Sequence, residues 1–104
     1  MKMQIVPLAE KEISNEVLHI IREYLGAEYR VFLFGSRAIG TARAHSDYDF
    51  GVEGPAPIDW SILGEIQEAV EDIPTLYKID VVDFAAVSPS FKRVAKMRIK
   101  EIED

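Results

Sequence analysis

A chain of 104 residues fits one domain, 1–104, and can bury only a modest core. Its 48% hydrophobic and 29% charged residues exclude a disordered or fibrous chain, and with no cysteine there is neither a disulfide framework nor a thiolate site, so any bound metal is held by oxygen. A net charge of −6 argues against strong general nucleic-acid binding, and with no leader-like apolar stretch and no uncharged membrane span the expectation is a cytoplasmic protein.

From Glu10 to Leu25 the apolar residues Ile13, Val17, Ile20, Ile21 and Tyr24 recur at helical spacing, which predicts a first helix that ends near Gly26. Arg30 to Phe34 reads as a continuous apolar strand stopped by Gly35, as in a strand covered on both faces. Asp47 to Glu53 alternates, so Tyr48, Phe50 and Val52 face the core while Asp47 and Asp49 face the other way. After the Gly54-Pro55-Ala56-Pro57 breaker, Asp59 is the expected N-cap of a helix carrying Ile62, Leu63, Ile66, Ala69, Val70 and Ile73, closed by Pro74. Tyr77 to Phe84 is a third strand, apolar except for Asp80 and Asp83.

Ser88-Pro89 opens a last helix, expected from Ser90 to about Glu103, with Phe91, Ala95, Ile99 and Ile102 inward and Lys92, Arg93, Lys96 and Lys100 outward. The order is then α-β-β-α-β-α, with one further helical turn after Gly35. Strands and helices in this arrangement make an α+β fold.

The chemistry is concentrated between Phe34 and Phe50. A strand ends at Gly35, where backbone can approach a ligand closely, and the Ser36 hydroxyl that follows can bind phosphate. Ten residues later Asp47 and Asp49 share one strand face, and two carboxylates that close repel unless a cation lies between them. Magnesium suits them, because it takes carboxylate and phosphate oxygens together. A third acid, Asp80, interrupts another apolar strand and needs a partner. Asp83 is the less favoured third ligand, since it alternates to the opposite face.

Two rival motifs fail on the same residues. Gly35 to Gly40 has Walker A glycine spacing, but Thr41 and Ala42 stand where lysine and serine or threonine belong. A calcium loop starting at Asp47 would need glycine at Val52 and an acid at Ile58. His19 reads as a surface residue, and His45 carries no assigned role.

Gly-Ser, ten residues and then Asp-x-Asp resembles the signature of the polymerase-β-like nucleotidyltransferase superfamily. With the acid in Lys78-Ile79-Asp80-Val81-Val82, the chain resembles most the minimal nucleotidyltransferases (MNT) that act as antitoxins to HEPN ribonuclease toxins. That resemblance implies a small central mixed sheet of about three strands flanked by helices. It also implies that Gly35, Ser36 and Arg37 bind the triphosphate, with Arg43 as the fallback cation, and that Asp47, Asp49 and Asp80 hold two magnesium ions. ATP would be the substrate, AMP the group transferred, and a hydroxyl of a HEPN-type partner, a tyrosine by analogy, the acceptor. The alternative is a non-catalytic nucleotide-binding subunit of a two-component complex.

Overall fold

The structure is a computed structural model that describes residues 8–39 and 47–103. Arg43 and His45 lie outside the described residues. Helix α1 (Glu10–Tyr24) leads into β1 (Arg30–Phe34), the single turn α2 (Ser36–Ile39), β2 (Tyr48–Glu53), α3 (Trp60–Glu71), β3 (Ile79–Asp83), α4 (Pro89–Ala95) and β4 (Lys100–Ile102).

The four strands form one mixed sheet in the order β3-β2-β1-β4. β1 pairs antiparallel with β2 and with β4, whereas β2 and β3 are parallel, joined through α3 as a parallel pair requires. The alternation expected for β2 holds. Tyr48, Phe50 and Val52 are buried with Val31 and Leu33 of β1 beneath Ile13, Val17 and Ile21 of α1 and Ile66 and Val70 of α3. On the opposite face Phe32, Phe34 and Phe84 form a second, smaller cluster, against which Ala95 and Ile99 pack. Its rings meet edge to face, with Phe84 4.9 Å from Phe32 and 5.1 Å from Phe34.

Local chemistry sets the helix ends. The Asp59 carboxylate caps α3 by accepting from Ser61 N at 2.9 Å, and Ser88 caps α4 by accepting from Phe91 N at 3.2 Å.

Two expectations are corrected at the C-terminal end. The last helix stops at Ala95, and Lys100–Ile102, expected to continue it, is instead a strand on the free edge of β1, so the sheet has four strands rather than about three. Ile99 and Ile102 do meet apolar neighbours, but on opposite faces of the sheet. The basic residues do not all face outward either. Lys92 and Lys96 reach the carboxylate of Glu53 at 2.7 and 2.6 Å, Lys100 reaches Glu10 at 3.1 Å, and Arg30 pairs with Glu101. The two lysines hold the Glu53 carboxyl below its ordinary range and fasten α4 to the end of β2.

Candidate active site

The site forms where β1 ends and where β2 and β3 begin. Asp49 and Asp80 are direct register partners in the parallel pair, and Phe34 is the partner of Asp49 on its other side. Alternation puts all three on the face of the phenylalanine cluster. Both acids are half-buried and Asp47 is exposed at the start of the strand. Burial pushes the Asp49 carboxyl up from its ordinary value, and the charges of Asp80 and Asp47 push it further, while Lys78 opposes them.

Gly35 adjoins this group. Its φ is +73°, a left-handed conformation that disfavours side chains, and a Cβ there would stand 2.9 Å from Asp49 Oδ2. The backbone therefore runs directly against the carboxylate, with Ser36 following at the start of α2.

Among the described residues no three His, Cys, Asp or Glu side chains converge into a preformed metal cluster. The donor set nonetheless suits a hard divalent cation: two adjacent half-buried carboxylates and a third in electrostatic reach, whose mutual repulsion a cation would relieve.

Arg37 lies elsewhere. Its guanidinium is over the ring of Tyr48, 4.0 Å from the centroid, and 5.0 Å from that of Tyr77, on the face of β2 opposite Asp49. Asp83 is buried and structural, accepting from Ile58 N at 2.9 Å and Ala85 N at 3.0 Å. His19 is on the surface, 3.2 Å from Glu23.

Two supporting residues escaped the sequence reading. Lys78 Nζ is 3.7 Å from Asp80 Oδ2, and its place two residues before Asp80, just ahead of β3, was the signal that could have found it. Gln67, on α3, donates to Ile79 O at 2.8 Å and accepts from Val81 N at 2.9 Å, so one side chain holds the backbone on both sides of Asp80. No sequence pattern announces that bond.

Residues 15–102 match the family model described as "Polymerase beta, Nucleotidyltransferase". The chain belongs to this nucleotidyltransferase family. It is 29% identical over 91 residues to "Probable protein adenylyltransferase MntA" of Haemophilus influenzae, covering 85% of this chain and 80% of that one. Among solved structures the fold is similar to a toxin–antitoxin with AMP-PNP, at TM-score 0.63 and 22% identity over 85% of this chain and 70% of that one. It is similar also to the complex of a tri-AMPylated Shewanella oneidensis HEPN toxin with MNT antitoxin, at TM-score 0.64 and 19% identity over 86% and 67% of the two chains. No helix of the described residues is long and apolar enough to cross a membrane.

Proposed function

We propose that this nucleotidyltransferase is a protein adenylyltransferase, the antitoxin of a HEPN-type ribonuclease, and that it moves AMP from ATP to a tyrosine hydroxyl of that partner. The observation that carries this reading is the pairing of Asp49 with Asp80 and the close approach of the Gly35 backbone to Asp49, in a chain of this family. The relative named as a protein adenylyltransferase and the fold shared with an AMPylated toxin's MNT partner support the acceptor class.

Gly35 and Ser36 hold the triphosphate, and the Gly35 backbone brings it against Asp49. Asp47, Asp49 and Asp80 would hold two magnesium ions, which when bound supply positive charge to the attacking and leaving oxygens. The acceptor oxygen forms a bond to the α-phosphorus as the bond to the pyrophosphate oxygen breaks. Pyrophosphate leaves with that electron pair, and the hydroxyl proton passes to a site carboxylate or to solvent. The docked partner brings its own hydroxyl to the site and so supplies the orientation that transfer requires.

Incubating the chain with magnesium, ATP and a HEPN-type partner protein, followed by intact-mass spectrometry, is the test. Mass increments of one or more AMP on the partner, lost when its acceptor tyrosine is changed to phenylalanine, are expected. No added mass with any of the four nucleoside triphosphates, while nucleotide still binds, would assign the chain to the non-catalytic class.

A further inference from the structure

β3 is the outermost strand of the sheet, so Asp80 has Asp49 on one side and the free edge on the other. On the transferase reading the triphosphate is held at Gly35 and Ser36, which follow β1 on the far side of Asp49. The side left for the acceptor is the edge of β3.

That edge is bracketed by exposed apolar side chains. Trp60, at the start of α3, is 83% exposed, and Leu76, three residues before β3, is 94% exposed. The Leu76 turn is held in place: Thr75 N donates to Ile73 O at 2.8 Å, Tyr77 N donates to Thr75 Oγ1 at 3.2 Å, and the Tyr77 ring packs 5.5 Å from that of Tyr48. Between α3 and β3 lies a groove of about 560 Å³ lined by Trp60, Leu63, Gly64, Gln67, Val81 and Asp83. Exposed apolar surface gathered along one edge marks an interaction face. Gly64 adds an independent sign. It stands inside α3, where glycine costs about 1 kcal/mol relative to alanine, yet a Cβ there would meet nothing within 4 Å among the described residues. No packing within the chain calls for that glycine, whereas close approach of another backbone does.

We propose that the edge of β3 and the outer face of α3 form the docking surface for the acceptor protein, and that its occupant is a helix combining apolar and basic residues. The inference rests on the reading of the chain as a transferase to a partner's hydroxyl. A strand is not the occupant, because the Gln67 amide already takes Ile79 O and Val81 N on that edge. Spacing puts Trp60, Gly64, Glu68 and Glu71 on one outward helix face, which a helix can approach closely at Gly64. α3 carries Glu65, Glu68 and Glu71, all exposed, and neither lysine nor arginine. Two copies meeting through α3 would set these acids against each other, whereas basic residues complement them. A ribonuclease offers such residues, since it must hold RNA phosphates. Seated there, the partner reaches Asp80 from its open side.

The test is calorimetric titration of a HEPN-type partner protein, without ATP, into wild type, Gly64→Gln, Leu76→Ser and Glu68→Lys, all at exposed positions. Gly64→Gln and Leu76→Ser should each weaken partner binding about ten-fold or more, as loss of an interface anchor does. Gly64→Gln should also melt higher than wild type, a combination that damage to the fold would not produce. Glu68→Lys should weaken binding more at low salt than at high. ATP affinity should not change in any of them, since none alters Gly35 or the acids. Partner affinity within about two-fold of wild type in either Gly64→Gln or Leu76→Ser overturns the docking surface and leaves the transfer reading standing. Equal loss of ATP affinity overturns it too, by placing the effect in the transfer site. A wild type that self-associates in ultracentrifugation and becomes monomeric in Gly64→Gln overturns the occupant and assigns the face to a second copy. Wild type that does not bind the HEPN-type protein overturns the acceptor reading and this inference with it.

Discussion

Asp49 and Asp80 are direct partners across the parallel pair of β2 and β3, and the fold thereby holds two carboxylates side by side on one half-buried surface. Asp49→Asn should lower transfer by roughly 10²–10⁴-fold, the contribution of a positioned catalytic group, and raise the melting temperature of the metal-free protein. The sign follows from the raised Asp49 pKa: the folded state binds a proton more readily than the unfolded chain, so ionisation at neutral pH opposes folding. The stability advantage of the variant is full above the folded pKa and shrinks as pH falls through it towards the ordinary value of 3.8. Thermal melts across that window check it, and a variant no more stable than wild type at neutral pH would remove the repulsion.

Gly35→Ala places a side chain both in a left-handed conformation and against Asp49 Oδ2. The backbone alone costs about 1–2 kcal/mol. Displacement of the carboxylate should also reduce transfer beyond what the lost stability explains. Denaturant unfolding and single-turnover assays on the folded variant separate the two effects.

Gln67→Ala leaves Ile79 O and Val81 N without their side-chain partner at the outer edge of the sheet. A loss of about 1–3 kcal/mol is expected for polar groups left unmade. Hydrogen exchange should quicken at Val81, whose amide donates to Gln67, more than at Phe50, in the middle of β2. Uniform quickening would point to global destabilisation instead.

Arg37→Ala removes a guanidinium stacked on Tyr48 and should destabilise the fold by about 0.5–2 kcal/mol. Because that contact lies on the face opposite Asp49, ATP affinity should stay within about two-fold, less than the loss of one charge-assisted hydrogen bond. Titration decides: a loss of about ten-fold or more assigns Arg37 to the phosphates, as its place after Ser36 suggests.

The elements legible in the sequence are those whose evidence is local. β1 was readable from four successive apolar residues ending at Gly35, and β2 from an alternation that gave the faces of Tyr48 and Asp49 before any neighbour was known. The same alternation separated Asp80 from Asp83, and the structure finds Asp83 occupied with backbone amides of Ile58 and Ala85.

β4 was not legible. Ile99 and Ile102 fit the helical spacing that Phe91 and Ala95 begin, and nothing in the segment itself contradicts it. The deciding partner is remote: the free edge of β1 carries backbone donors and acceptors that must be paired, and Lys100–Ile102 pairs them. The same holds for the basic residues. Sequence gives Lys92 and Lys96 a solvated face, whereas Glu53, brought in by the sheet, draws both onto the protein. Periodicity thus determined which face each strand residue takes, and motif spacing singled out the candidate site residues. Only the tertiary structure decided strand neighbours, the hold of Gln67 on the backbone around Asp80 and the turn of Arg37 towards Tyr48, because each depends on a group distant in the chain.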